Sequence, residues 1–238
     1  MEIFLYRFMS SVINYQNNIM KKLRVAIIES PNPIDLFDGR SEAKALEASC
    51  NLMGHHAISF FVKSREDFQS TIRYLGSSDS IHANRNPSLP LVLHISSHGN
   101  TGCVAFGSDV ISWSELIKDL MPLLQNTEYS GKLVLSLSAC GSGENTISTH
   151  TKKMHSNSPE IKVPCYIFSI LGDTVNWDDA LIGWNNLYHK ISKFGLDDKV
   201  SIMESLEKIK ECVEVEFAYR RWNEDEGKYF RYPPIKAK

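Results

Sequence analysis

Two residues in this chain combine a reactive type with a setting that covalent chemistry can use. His98 follows the apolar run Leu91-Val92-Leu93-His94-Ile95, and Cys140, 42 residues further on, follows Leu133-Val134-Leu135-Ser136-Leu137. A free thiol with a pKa near 8.5 is mostly protonated at neutral pH, whereas the thiolate is the attacking species. An adjacent imidazole raises the thiolate fraction or protonates a departing amine. Gly99 and Gly141 come next in the two segments, and glycine permits tight turns that bring backbone N–H donors up to a substrate. Such donors would hold a tetrahedral oxyanion, an interaction worth about 3 to 4 kcal/mol of barrier lowering. Acyl transfer through a thioester is the reaction this set suits.

That chemistry needs the two apolar runs to be neighbouring strands, so the elements around them matter. Arg24 to Glu29 is a short, nearly continuous apolar run rich in β-branched residues, as a strand covered on both faces requires. A loop at Pro31 and Pro33 ends it. Ala43, Leu46, Cys50 and Met53 then recur at helical spacing, with Gly54 as a stop. Ala57 to Val62 reads as a second strand, and Ser64 opens a helix through Phe68, Ile72 and Leu75 that should end at Gly76, followed by a polar linker from Ser77 to Pro90. Cys103 to Phe106 fits a small strand. Ser112-Trp113-Ser114-Glu115 has capping-box spacing, and Pro122 should bend the helix that follows.

Val163 to Leu171 is a fifth main strand, preceded by a polar stretch from Glu144 to Glu160 that reads as an exposed loop. Two helices follow, one through Trp177, Leu181, Trp184, Leu187 and Ile191, the other through Val200, Met203, Leu206, Ile209 and Val213. Phe217 to Trp222 and Lys228 to Tyr232 look like a terminal hairpin. Strands alternating with helices predict crossover connections and one α/β domain over residues 20–238, with a mainly parallel sheet and helices on both faces. In such a sheet, chemistry sits beyond the carboxyl ends of the strands. If consecutive strands are neighbours, imidazole and thiol emerge side by side.

Composition narrows the classes. The 238 residues hold 26 Lys plus Arg against 28 Asp plus Glu, a formal charge of −2 that calls for no nucleic acid. Hydrophobic content of 42% and charge of 23% match a globular chain and exclude a disordered or fibrous one. The five cysteines are odd in number and lack C-x-x-C or His/Cys spacing, which points to a reduced, cytoplasmic setting without a metal site. No run approaches the roughly 20 apolar residues of a membrane span. Because Met20-Lys21-Lys22-Leu23 leads straight into the first strand, residues 1–19 read as an N-terminal extension or a start-site artefact, and Glu2 and Arg7 within their apolar stretch make them neither a signal peptide nor a membrane helix.

The strand-His98-Gly99 segment and the strand-Ser138-Ala139-Cys140-Gly141-Ser142-Gly143 segment together resemble the caspase-like cysteine peptidases of clan CD, especially their prokaryotic, CHAT-type branch. Ala139-Cys140-Gly141 fits the Gln-Ala-Cys-x-Gly signature of caspases, although Ser138 stands where the glutamine would be. Val110-Ile111-Ser112-Trp113, Gly172-Asp173 and Trp177-Asp178-Asp179-Ala180 extend the likeness over roughly residues 23–195. The resemblance implies a caspase-hemoglobinase fold, Cys140 as nucleophile and His98 as general acid/base. It also implies an oxyanion hole built from the N–H groups of Gly99 and Cys140, no cofactor, protein or peptide substrates, and an activating or inhibitory protein partner. The arginines with which caspases hold an aspartate have no counterparts here. Ser138 and Asp173 fall where related enzymes receive the residue before the cleaved bond, and Asp173 would supply charge for Arg or Lys.

Other readings of the same residues stay open. Cys140 would be a small core hydrophobe, His94 a packed core histidine, Cys103 a second reactive thiol or a packing residue, and Trp177 and Trp184 core residues. Asp173 would cap the next helix instead of lining a pocket. Gly141-Ser142-Gly143 would be a phosphate-binding turn, though the full G-x-G-x-x-G is missing. The segment Glu144 to Glu160, with Lys152-Lys153, would be a cleavable linker or a surface loop. Active endopeptidase, catalytically silent interaction module and nucleotide-binding α/β domain are the three classes carried forward.

Overall fold

The computed structural model describes residues 22–82, 89–144 and 147–234, so the reading of residues 1–19 lies outside the described residues. Arg24–Ser30 forms β1, buried from Val25 onward. After a short helix α1 (Pro33–Phe37) come α2 (Glu42–Leu52), β2 (His56–Phe61) and α3 (Arg65–His82). Leu91–Ser97 is β3 and Cys103–Phe106 and Asp109–Ser112 are the small strands β4 and β5. Trp113–Asp119 and Met121–Leu124 are α4 and α5, and Leu133–Ser138 is β6. The chain continues through α6 (Ile147–Asn157), β7 (Tyr166–Leu171), α7 (Trp177–Phe194), α8 (Lys199–Val213), β8 (Glu216–Asn223) and β9 (Lys228–Tyr232).

The main sheet has the order β2-β1-β3-β6-β7-β8-β9. Its first five strands run parallel, and β8 and β9 are antiparallel. β3 and β6 are fully buried along their length because helices cover both faces. Phe68 and Ile72 of α3, with Leu116 of α4, Leu123 of α5 and Ile147 of α6, pack on one face against Leu93, Ile95, Leu135 and Leu137. Leu46 and Cys50 of α2, Trp184 and Tyr188 of α7 and Ile202 of α8 pack on the other against Val25, Ile27, Val92 and Val134. The fold is therefore α/β, with a mostly parallel central sheet. The chain leaves β1 toward the β2 edge and leaves β3 toward β6, so the order reverses between β1 and β3, where open α/β sheets form a crevice.

Several boundaries differ from the periodicity reading. The α3 helix does not stop at Gly76 but runs on to His82. Gly76 is a packing residue, since a Cβ there would lie 3.0 Å from the carbonyl oxygen of Pro122. The Pro31–Pro33 loop contains α1, with Pro33 in the first turn, where its missing N–H costs nothing. The stretch read as an exposed loop from Glu144 to Glu160 holds α6, anchored by buried Ile147 and Thr151, so Lys152 and Lys153 lie on a helix and not in an extended linker. The fifth strand begins at Tyr166 rather than Val163, and β5 had no recognisable sequence signal.

The capping box at Ser112 is present: its hydroxyl accepts from Glu115 N–H, and the Glu115 carboxylate accepts from Ser112 N–H at 2.9 Å. The helix breaks at Leu120, ahead of Pro122. Arg65 joins α3 to α4 through Asp119 (2.7 Å) and Glu115 (3.0 Å). Ser112 N–H and hydroxyl, then Arg65, hold the Glu115 carboxyl down to about 2. A carboxyl depressed in the folded state contributes stability above its ordinary 4.5, and that contribution disappears as pH falls toward 2. Urea unfolding of Glu115→Gln should therefore differ most from wild type at neutral pH and converge with it near pH 2. A difference that stayed constant across that range would contradict this linkage.

Candidate active site

β3 and β6 pair in parallel with Val92 opposite Val134, His94 opposite Ser136 and Ser96 opposite Ser138. Successive side chains on a strand point to opposite faces, so these three rungs share the face packed by α2 and α7. Along that column the residues change from apolar Val92 and Val134 to hydrogen-bonding groups as the strands reach their carboxyl ends. Two residues beyond the last rung, past the ends of both strands, come His98 and Cys140. The two predicted reactive residues thus follow the carboxyl ends of adjacent strands, each two residues beyond the last paired rung. Both line a cleft of about 90 Å3 that also includes Ser138, Ala139, Val175 and Trp177. His98 is exposed and Cys140 half-buried.

The loop after His98 is held from several sides. Asn100 Oδ1 accepts from Gly102 N–H (2.8 Å) and Cys103 N–H (3.0 Å), closing an Asx turn. The buried Trp113 donates its indole N–H to the carbonyls of Asn100 and Thr101. The turn after Cys140 is anchored independently. Gly141 N–H donates to Gly172 O at 2.7 Å. Ile170 N–H donates to Ser142 Oγ at 3.1 Å, and buried Arg220 donates to Ser169 Oγ and to Gly143 O. Gly141 has φ +65°, and a Cβ on it would lie 2.7 Å from Thr101 N, so the two loops touch backbone to backbone at this glycine.

Gly99 bridges Val104, and the flanking bonds are Asn100 N–H to Cys103 O and Ala105 N–H to His98 O. That pattern makes Gly99 and Val104 a non-hydrogen-bonded pair, whose N–H and C=O groups point away from the partner strand. Gly99 N–H is therefore directed away from β4. A Cβ on Gly99 would lie 3.5 Å from Cys140 O, which places this backbone against the Ala139-Cys140 segment. Among the described residues, neither Gly99 N–H nor Cys140 N–H donates to a protein acceptor.

The remaining assignments are less uniform. Ser138 lines the cleft, but it is buried and its hydroxyl donates to Glu42 Oε2 at 3.0 Å, so it is not free to meet a substrate side chain. Asp173 is exposed and is not part of the cleft lining. Nor does it cap the next helix, whose N-cap is Asn176. The Gly172-Asp173 pair serves the site through the Gly172 carbonyl instead. Trp177, expected in the core, lines the cleft and meets the His98 ring edge-to-face with centroids 5.7 Å apart. The signal for it was position: first residue of the helix that follows β7, hence at the carboxyl end of the sheet.

Two of the other thiols are poorer nucleophiles. Burial pushes Cys50 up to about 12, and burial with the charges of Glu224 and Asp197 pushes Cys165 up to about 11. Cys103 is half-buried, with its Sγ 3.3 Å from Asn100 Oδ1. His94 is fully buried beside Trp184, as expected of a core histidine. The Gly141-Ser142-Gly143 turn is buried, and a Cβ on Gly143 would lie 2.7 Å from Ile170 O; close packing accounts for these glycines without a phosphate. The cleft is also far smaller than the roughly 300 Å3 or more of a small-molecule site. Among the described residues, no cluster of three or more His, Cys, Asp or Glu side chains could hold a metal, and no helix is long and apolar enough to cross a membrane. No family model matches the chain, and no curated protein matches it.

Gly141→Ala tests how the two loops depend on each other. Its methyl group would meet Thr101 N and Asn100 C at under 3 Å in a left-handed backbone conformation. The expected cost is about 1 to 3 kcal/mol of stability, read as a lowered urea midpoint. It should come with slower alkylation of Cys140 by iodoacetamide, because the His98 loop must move. Unchanged stability and thiol reactivity would contradict the close approach.

Proposed function

We propose that this chain is a cysteine endopeptidase of the caspase-like type, with the caspase-hemoglobinase arrangement of clan CD and a likeness to its CHAT-type branch. The observation that carries the reading is that His98 and Cys140, each two residues past the last rung between adjacent parallel strands, line one cleft. Cys140 Sγ, after giving its proton to His98, attacks the carbonyl carbon of a peptide bond. The resulting oxyanion accepts from Gly99 N–H and Cys140 N–H. His98 returns the proton to the leaving amine nitrogen, and the acyl group remains on sulfur as a thioester. Water, deprotonated by His98, then attacks the thioester carbonyl and releases the carboxylate product and the thiol.

The contact between Trp177 and His98 offers the imidazole a steady orientation without a third catalytic residue. An open, small cleft suits an extended segment of a protein substrate better than an enclosed small molecule. The proposal places the protein in the cytoplasm, acting on protein substrates, under the control of an activating or inhibitory protein partner and without a cofactor.

Cleavage mapping in a matched extract tests the reading. Wild-type protein should generate new peptide termini that Cys140→Ala does not. Once a substrate is known, His98→Ala should lower kcat by about 10²- to 10⁴-fold. Equal cleavage by Cys140→Ala would remove the peptidase reading. Stabilisation by a nucleotide, with no His98-dependent thiol chemistry, would replace it with the nucleotide-binding class.

A further inference from the structure

A buried acid stands at the strand ends that lead into the proposed dyad. Glu42, in the first turn of α2, has a side chain with no exposed surface. Its Oε2 accepts from Ser96 Oγ at 2.7 Å and from Ser138 Oγ at 3.0 Å. Its Oε1 lies 3.1 Å from His94 Nε2, and His94 Nδ1 lies 2.8 Å from the Tyr188 hydroxyl. With Nε2 donating to the carboxyl, Nδ1 accepts from Tyr188, so both ring nitrogens are satisfied.

The position of this carboxyl in the ladder gives it a task. Ser96 and Ser138 are the last paired rung between β3 and β6, and beyond them the backbones part into separate loops. Glu42 adds a side-chain rung where the backbone ladder ends. His98 and Cys140 come two residues further along the two chain segments. Glu42 is itself aimed by Glu29 at the end of β1, whose carboxyl accepts from Ser41 Oγ (2.6 Å), Glu42 N–H (3.1 Å) and Ala43 N–H (3.2 Å). Burial pushes the Glu29 carboxyl above its usual range, against those three bonds.

We infer that Glu42 is a positioning residue for the reaction: by bridging the hydroxyls of Ser96 and Ser138 it sets the lateral separation of the His98 imidazole and the Cys140 sulfur. The inference rests on the peptidase reading, because it presumes that His98 and Cys140 act together. A generic structural acid would contribute to stability alone. A positioning acid also governs how strongly one reactive group depends on the other, since a displacement of about 1 Å between reacting groups can cost about 10²-fold.

The test is a double-mutant cycle on Cys140 alkylation by iodoacetamide, followed at that one residue by peptide mass spectrometry, with thermal midpoints measured alongside. Wild type, His98→Ala, Glu42→Gln and Glu42→Gln/His98→Ala form the cycle. His98 should accelerate alkylation in wild type, and this acceleration should shrink about ten-fold or more when Glu42 is Gln. Ser96→Ala and Ser138→Ala leave Glu42 in place and each remove one arm of the bridge. They should lose part of the acceleration singly and most of it together, and they decide the matter if Glu42→Gln does not fold. A folded Glu42→Gln, or the serine double variant, with the His98 dependence intact would reduce Glu42 to a stabilising residue and overturn the inference. Alkylation of wild type that does not depend on His98 would overturn the dyad itself, and this inference with it.

Discussion

The parallel pairing of β3 and β6 in unshifted register is the constraint on which the site depends. A slip of one residue would turn Ser96, Ser138 and the residues beyond them to opposite faces. Two distinct cores hold the register against such a slip. Leu93, Ile95, Leu135 and Leu137 are committed to the face of α3 to α6, and Val92 and Val134 to the face of α2, α7 and α8. Reversing either strand would expose apolar side chains to a polar column and bury hydroxyls among leucines. Hydrophobic burial therefore fixes which face each strand residue takes, although none of those leucines lines the cleft.

The site is paid for in polar groups placed inside a core. Glu29, Glu42, His94, Ser96 and Ser138 are all buried, and each has hydrogen-bond partners within the group or on α2 and α7. Removing one member would strand another at a cost of about 1 to 3 kcal/mol. Such a network is harder to repack than aliphatic side chains, because each hydrogen bond has a direction. A purely apolar column would be easier to build but would tolerate sliding between the strands. The hydrogen-bonded column lies on β3 and β6, beside the β1–β3 reversal of the strand order.

The order of elements was legible because the period changes from two to 3.6 along the chain and because most helices carry their own start signals. Ser112 with Glu115 is one such signal, and the break before Pro122 is another. Gly76 misled because glycine serves two purposes, stopping a helix or letting another backbone approach, and only the position of Pro122 distinguishes them. The α6 helix was missed because its polar surface outweighs the few residues, such as Ile147 and Thr151, that face the core. Trp177 looked like a core residue because an aromatic at helical spacing has no sign of its own for a cleft.

By itself, the amino-acid sequence determined the α/β class, the two candidate reactive side chains and their neighbouring glycines. It even held the pairing register, since the nine residues from Leu91 to Gly99 align without a gap to those from Leu133 to Gly141, and each aligned pair in the ladder is an observed rung. Tertiary structure alone decided that Glu42, 54 residues before Ser96 and 96 before Ser138, lies beneath both strands. It also decided that Trp177 meets His98, that Ser138 is occupied by Glu42, and that Asp173 stays outside the cleft. The physical reason is range: periodicity and capping report on neighbours within a few residues, whereas these contacts exist only after helices from distant parts of the chain pack onto one face of the sheet.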